Sequence, residues 1–198
     1  MNDYHDYVIK DGQFIGKFEE MYRDCGDPWD ASKEVYGLSL CSLATKRLTR
    51  SLQPVRLVSL GSGTGRHLEW LECPATGVEL SPTAVRTAKI YFPRAEYYSC
   101  TIREFLEHAI PYDVYLFREV LWYILPDWQA IVDILKTKHG AMVIVELSFY
   151  DNQTYGRDYF DGPDDFIAKW PFTIEKIVRE HTTKQQREGR VMIAGRVS

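Results

Sequence analysis

The pattern of apolar and polar positions changes near Pro54. Before this residue, segments 16–24 and 31–50 carry apolar side chains at roughly helical spacing, which predicts two helices. The first dozen residues are polar, and we expect them to be loosely held. The N-terminal part of the chain is therefore predicted to be helical.

After Pro54, short apolar runs alternate with segments of helix length. The runs that predict strands are residues 55–60, 76–80, 95–99, 112–117 and 141–147. The segments that predict helices are residues 65–71, 82–91, 102–109 and 127–137. Near-continuous apolar strands separated by helices indicate a parallel sheet that is covered on both faces.

The end of the chain breaks this alternation. Residues 172–181 and 190–197 are strand-like and are joined by a polar segment, which predicts an antiparallel hairpin. We therefore predict one α/β domain over residues 1–198, with a doubly wound, Rossmann-like, mostly parallel sheet of seven strands and a C-terminal hairpin. Residues 1–51 form its N-terminal helical lid region and residues 52–198 its ligand-binding core.

Composition and charge narrow the function classes. The formal net charge of −4 at pH 7 argues against a general nucleic-acid binder. The four cysteines form no C-x-x-C pair, which is typical of reduced thiols and predicts no metal site. No signal-peptide pattern or bilayer-length apolar run occurs, so we expect a cytoplasmic protein without membrane contacts. The oligomeric state stays open.

The candidate chemistry begins at VSLGSGTGRHLEW, residues 58–70, where an apolar run leads into glycines at alternate positions. Such a loop follows the first strand, where doubly wound sheets bind ligands. A dinucleotide fingerprint would require glycine where the chain has Arg66. Glu79 ends the next predicted strand, where a carboxylate binds both ribose hydroxyls and repels a 2′-phosphate. The ligand is therefore predicted to contain adenosine without being NAD or NADP.

The motif Gly61-x-Gly63-x-Gly65, followed by Glu79, resembles class I S-adenosylmethionine-dependent methyltransferases over roughly residues 52–198. The segment REVLWYIL and the upstream DPW resemble the nodulation protein S-like group of small-molecule N-methyltransferases. The resemblance implies S-adenosylmethionine as cofactor. It implies cofactor contacts at Leu60, Gly61, Ser62, Gly63, Gly65, Glu79, Leu80, Cys100, Thr101, Ile102, Phe117 and Arg118.

One position departs from the family pattern. The family has an acid near the cofactor's amino group where this chain has Ser59. We expect the Ser59 hydroxyl and the carbonyl groups of the loop to take its place. His67, just after the loop, is expected to have a packing or solvent-facing role rather than a catalytic one.

Two charged residues at the end of the fourth predicted strand are the catalytic candidates. Glu119 is expected either to act as a base or ammonium-binding group, or to cap the following helix. Arg118 is expected either to contact an anionic acceptor or the cofactor carboxylate, or to pair with a neighbouring acid. The residues leave both choices open.

Aromatic side chains make up 14% of the chain, and many lie in the predicted N-terminal helices and in the segments that follow the fourth and fifth predicted strands. We expect several of them to line an acceptor pocket and to attract the sulfonium by cation–π contact, although packing is an equal alternative. The candidates are Tyr22, Trp29, Tyr36, Trp122, Tyr150 and Tyr155. The acidic segment 151–165 either selects the acceptor or is solvated.

These features predict a methyltransferase that acts on an amine or hydroxyl of a small polar, biosynthetic or sugar-like acceptor. A methyltransferase-like domain that binds the cofactor or a partner without transfer is the alternative. The departure at Ser59 and the charged pair Arg118–Glu119 leave that alternative open.

Overall fold

The computed structural model describes residues 4–31, 38–181 and 187–198. Its helices are α1 (His5–Val8), α2 (Phe18–Cys25), α3 (Leu40–Leu52), α4 (Pro82–Tyr91), α5 (Ile102–His108), α6 (Trp128–Lys136) and α7 (Pro163–Ala168). Its strands are β1 (Ile9–Lys10), β2 (Gln13–Phe14), β3 (Leu57–Leu60), β4 (Ala75–Glu79), β5 (Glu96–Ser99), β6 (Val114–Arg118), β7 (Met142–Tyr150), β8 (Thr173–Glu180) and β9 (Arg187–Arg196).

The main sheet has seven strands in the order β5-β4-β3-β6-β7-β9-β8. The strands from β5 to β7 are parallel, whereas β9 is antiparallel to both β7 and β8. The predicted doubly wound fold with a C-terminal hairpin is confirmed. This order places the carboxyl ends of β3, β4 and β6 beside each other, where such sheets bind ligands.

Alternation of side chains along the central strands explains how the sheet buries both faces. Val58 and Leu60 of β3 pack into one apolar cluster, and Leu57 packs into the other. On β6, Tyr115 and Phe117 likewise join the first cluster, while neighbouring residues join the second. A strand that is buried on both faces requires apolar residues at consecutive positions, as the sequence has.

Local capping sets the helix starts. Ser81 accepts a hydrogen bond from the Ala84 amide, and Pro82 fills the first turn of α4. Thr101 and Glu104 form a capping box at α5. The predicted helix over residues 31–50 is shorter in the structure, because the Ser39 side chain caps a helix that begins at Leu40. Part of that prediction, residues 32–37, lies outside the described residues.

Two other segments differ from the prediction. Arg66–Trp70 is a 3₁₀-helix rather than an α-helix. The acidic segment contains α7, and its acids pair with bases: Asp165 lies 2.8 Å from Lys169, and Asp164 lies 2.6 Å from Arg179. These acids are therefore engaged in ion pairs of the protein itself.

The N-terminal residues are more ordered than their polarity predicted. Strands β1 and β2 pair around Asp11 and Gly12, which both have positive φ, as a two-residue hairpin requires. Val8, at the end of α1, is buried with Met21 and Tyr22 of α2. This small cluster fastens the segment to the rest of the molecule.

Glu19 joins α2 to the start of α4. Its carboxylate accepts hydrogen bonds from the Ser81 hydroxyl (2.5 Å), the Thr83 amide (3.0 Å) and the Thr83 hydroxyl (2.6 Å). Partial burial would raise the pKa of Glu19, but these bonds and nearby Arg86 outweigh it and lower the pKa to about 2. None of the helices in the described part of the chain is long and apolar enough to cross a membrane.

We predict that Glu19→Gln lowers Tm by roughly 2–4 °C at neutral pH, because it weakens this junction. The pKa of Glu19 is lowered on folding, so its stabilising effect is complete above its ordinary value of 4.5 and declines as the pH falls toward 2. Thermal melts against pH should show the difference between wild type and variant shrinking in acid. Glu20→Gln, on the same helix, is the control. A constant difference at all pH values would contradict the assignment.

Candidate active site

The glycine loop lies at the carboxyl end of β3, and two of its glycines are required by close contacts. A Cβ on Gly61 would lie 2.3 Å from the Val120 side chain, and φ there is +73°. A Cβ on Gly63 would lie 2.9 Å from the Tyr22 hydroxyl, with φ at +56°. The backbone therefore adopts left-handed conformations that place it close to its neighbours.

Glu79 ends β4 directly beside this loop. Its carboxylate accepts hydrogen bonds from the Gly63 amide (2.9 Å) and the Ser81 amide (3.0 Å). Burial outweighs these bonds and raises the pKa of Glu79. The side chain lines the cavity, in the position that was predicted for a ribose-binding acid.

Ser59 does not serve the cavity as expected. It is fully buried, and its hydroxyl lies 2.7 Å from Nε2 of His67. Burial, aided by the positive charge of Arg118, lowers the pKa of His67 to about 3, so the imidazole is neutral. The expectation that the Ser59 hydroxyl replaces the acid near the cofactor's amino group is therefore wrong, because that hydroxyl contacts His67. The packing role expected for His67 fits its burial.

Arg118, at the end of β6, belongs to a buried ion pair. Its Nε lies 3.3 Å from Oε2 of Glu146, and a terminal nitrogen donates to the Ser42 hydroxyl at 3.1 Å. Ser42 in turn donates to the same Glu146 oxygen at 2.9 Å. The guanidinium also lies 5.0 Å from the centre of the Trp70 ring. Of the two roles considered from sequence, pairing with an acid is present.

Glu119 follows Arg118 and has an unusual backbone for a residue with a side chain, with φ at +54°. Its carboxylate accepts hydrogen bonds from the Ser148 amide (3.0 Å) and hydroxyl (2.8 Å), and Arg190 lies 2.5 Å away. Burial would raise the pKa of Glu119, but Arg190, Ser148 and Arg118 together lower it. Glu119 thus lines the cavity as a carboxylate.

We call the four charged residues of this region the charge cluster: Arg118, Glu119, Glu146 and Arg190. Two of its members, Glu146 and Arg190, were not predicted from the sequence. In the sequence, Glu146 is a single polar position within an apolar segment. Arg190 lies on the final strand, far along the chain from Glu119. The single signal for Glu146 was that an acid interrupts VIVELSF.

Aromatic rings from the N-terminal segment meet others that follow β6 and β7. Tyr123 is central: its ring centroid lies 5.2 Å from that of Phe18, 5.9 Å from that of Trp29 and 6.5 Å from that of Phe14. Phe14 also stacks on Tyr155. We call these five residues the aromatic cover. Burial raises the pKa of the Tyr123 hydroxyl.

Two other predicted aromatic residues have clear structural contacts. The Trp29 indole donates to the Tyr22 hydroxyl at 2.8 Å. Trp122 is buried against Phe149, and its indole donates to the Ser148 carbonyl at 2.8 Å. Trp122 therefore supports the residue that holds Glu119. Tyr36 lies outside the described residues.

The glycine loop, Glu79, members of the charge cluster and the aromatic cover all line one cavity of about 1190 Å³. The predicted site residues that line it are Gly61, Ser62, Gly63, Glu79, Leu80, Cys100, Thr101, Ile102, Arg118, Glu119, Tyr22, Trp29, Trp122, Tyr150 and Tyr155. Leu60, Gly65 and Phe117 are buried in the structure and are not part of the lining.

Comparison with known proteins identifies the class. Residues 58–138 match the family described as methyltransferase domain. Among solved structures, the chain is similar to the N-methyltransferase NodS from Bradyrhizobium japonicum WM9, with a TM-score of 0.60, 16% identity, and coverage of 79% of this chain and 96% of that chain. It is also similar to a TehB-like SAM-dependent methyltransferase from Corynebacterium glutamicum ATCC 13032 Kitasato, with a TM-score of 0.61, 15% identity, and coverage of 90% and 97%. Among curated proteins, none matches the sequence.

Residues 58–138, which include the glycine loop and Glu79, match a methyltransferase domain, and the chain has the Rossmann-like fold of the methyltransferases it resembles. Both findings support the methyltransferase, and with it the S-adenosylmethionine cofactor, that the sequence predicted.

We predict that Glu79→Gln weakens binding of S-adenosylhomocysteine about 10- to 100-fold, because a carboxylate–hydroxyl hydrogen bond is worth about 1.5–3 kcal/mol. Isothermal calorimetry measures this affinity. Glu96→Gln, an exposed position on the neighbouring strand β5, is the control and should bind as the wild type does. Equal affinity for Glu79→Gln would show that the ribose is held elsewhere.

Proposed function

We propose that this enzyme transfers a methyl group from S-adenosylmethionine to an amine nitrogen of a small polar acceptor. The observation that carries the proposal is that one cavity is lined both by Glu79 with the glycine loop and by Glu119 with the aromatic cover. We assign the part beside Glu79 to the cofactor and the part beside Glu119 to the acceptor, and we call them the cofactor end and the acceptor end. A bound cofactor supplies an activated methyl group, so the protein mainly supplies position and electrostatics.

The size of the cavity supports a small acceptor. Its volume of about 1190 Å³ exceeds the roughly 300–1,000 Å³ that one small-molecule ligand usually occupies. Residues of the N-terminal segment, such as Phe14 and Trp29, also line it. A space of this kind suits a cofactor together with one compact acceptor.

The ionisation of the residues around Glu119 favours an amine over a hydroxyl. A hydroxyl usually needs a base, whereas a neutral amine attacks directly. The lowered pKa makes Glu119 a weak base, and His67 is buried against Ser59. Tyr123 holds its proton because burial raises its pKa. Glu119, His67 and Tyr123 are thus poor bases, which suits a nucleophile that needs no deprotonation.

The same residues suit the charge that develops during transfer. The nitrogen–carbon bond forms as the sulfur–carbon bond breaks, and the positive charge passes from sulfur to nitrogen. A fixed carboxylate at Glu119 stabilises this charge, as does the face of an aromatic ring such as Tyr123. The extra proton of the product then leaves to solvent.

A panel of small polar amines, each paired with its matched alcohol, tests the proposal. We expect S-adenosylhomocysteine and methylated product, read by mass spectrometry, with amines and little with their alcohols. The rate should rise as the pH approaches the pKa of the amine, because the neutral form attacks. Turnover of the alcohols alone would contradict an amine acceptor.

We also predict that Tyr123→Leu lowers kcat/KM for the acceptor about 3- to 30-fold, since the ring faces the positive charge that moves during transfer and a cation–π contact is worth about 0.5–2 kcal/mol. Tyr123→Phe keeps the ring and should stay near the wild-type kcat/KM. Tyr91→Leu, at an exposed position, is the control for loss of an aromatic ring. Steady-state kinetics measure these effects. If Tyr123→Leu and Tyr123→Phe had equal effects, the Tyr123 hydroxyl rather than the ring would be the group that matters.

A further inference from the structure

Arg190 lies on β9, in a part of the sequence that carries no cofactor motif. In the sheet, however, it lies directly opposite Ser148 of β7. Because β9 is antiparallel to β7, the first part of β9 runs along the carboxyl end of β7. Arg190 thereby lines the same cavity as Glu119.

We propose that Arg190 is a positioning residue for methyl transfer, which fixes the Glu119 carboxylate at the acceptor end of the cavity. The inference rests on the proposed function, in which Glu119 faces the nitrogen that receives the methyl group. In addition, the proposal makes the orientation of Glu119 depend on Arg190.

The first support is the number of contacts on Glu119. Oε2 accepts from the Ser148 amide, and Oε1 accepts from the Ser148 hydroxyl and pairs with Arg190. The left-handed backbone of Glu119 is a strained conformation for a residue with a side chain, and such a conformation persists where the surrounding structure enforces it. The conformation orients the Glu119 side chain but lowers local stability, and strained residues of this kind are typical of functional sites.

The second support is that Arg190 is itself held. Its side chain is 12% exposed, and it lies 3.9 Å from Oε2 of Glu146, the partner of Arg118. Its backbone carbonyl accepts from the Cys41 thiol on α3. A fixed, buried guanidinium restrains its partner far more than a surface arginine does.

The third support is the charge balance around Glu119. The charged and titratable groups around it are Arg118 at the end of β6, Glu146 on β7, Arg190 on β9, the Tyr123 hydroxyl and the Cys41 thiol. Removing Arg190 leaves two carboxylates with one guanidinium in a buried place. The pKa of Glu119 should then rise, so that Glu119 becomes protonated at a higher pH than in the wild type.

Arg190→Gln and Arg190→Lys test the proposal against wild type, with Arg196→Gln on the same strand as the control. For Arg190→Gln we expect kcat to fall tenfold or more, and the acidic limb of its pH profile to move at least one unit upward. Affinity for S-adenosylhomocysteine should stay within about threefold. Arg190→Lys keeps the charge and should restore part of kcat and most of the pH profile.

An NMR titration of the Glu119 carboxyl carbon gives a readout that does not depend on the acceptor. The midpoint should be higher in Arg190→Gln than in wild type, with Arg190→Lys between them. An unchanged midpoint and an unchanged kcat would overturn the proposal. So would a loss of cofactor affinity and Tm in proportion to kcat, since Arg190 would then be only structural. Absence of amine turnover by the wild type would instead refute the proposed function.

Discussion

The charge cluster is the interaction on which the geometry of Glu119 depends. Its two arginines and two glutamates balance each other: Arg118 and Glu146 are buried, Arg190 is nearly so, and the Glu119 side chain is 31% exposed. Removing one partner of a buried ion pair typically costs about 3–5 kcal/mol, because the other charge is left without compensation. The cluster therefore ties the geometry of Glu119 to the pairing of three strands.

Sheet topology makes this cluster possible. Parallel pairing of β6 and β7 places Arg118 opposite Glu146, and antiparallel pairing of β7 and β9 places Ser148 opposite Arg190. Ser42 of α3 then donates to Glu146 from the helix that covers this part of the sheet. A terminal hairpin that is remote from the glycine loop in sequence thus contributes Arg190 to the lining of the same cavity.

The two carboxylates that line the cavity are held differently. Backbone amides of Gly63 and Ser81 hold Glu79. Glu119 is held by the Ser148 amide together with two side chains, the Ser148 hydroxyl and the Arg190 guanidinium. The position of Glu119 therefore depends on side chains from β7 and β9, whereas that of Glu79 depends on nearby backbone.

Much of the fold, and the position of the glycine loop and Glu79 at the carboxyl ends of β3 and β4, could be predicted from the sequence, because they depend on local patterns. Consecutive apolar residues, caps such as Ser81 and alternate glycines each act over a few positions. The charge cluster could not be predicted in this way, since Arg190 and Glu119 meet only through strand pairing. The β1–β2 hairpin had a signal in its Asp11–Gly12 turn, and α7 had one in Pro163 at its first position.

The expectation for Ser59 failed for a related reason. The family has an acid at this position, but here the buried Ser59 hydroxyl contacts the buried imidazole of His67, eight residues later. Pairwise contacts of this kind are decided by packing rather than by motif.

A crystal structure with S-adenosylhomocysteine bound tests the central claim most directly. We expect the ribose hydroxyls on Glu79 and the sulfur facing the space between Glu119 and Tyr123, with Arg190 still paired to Glu119. A cofactor bound with its ribose away from Glu79, or with Glu119 turned away from the sulfur side of the cavity, would contradict this account.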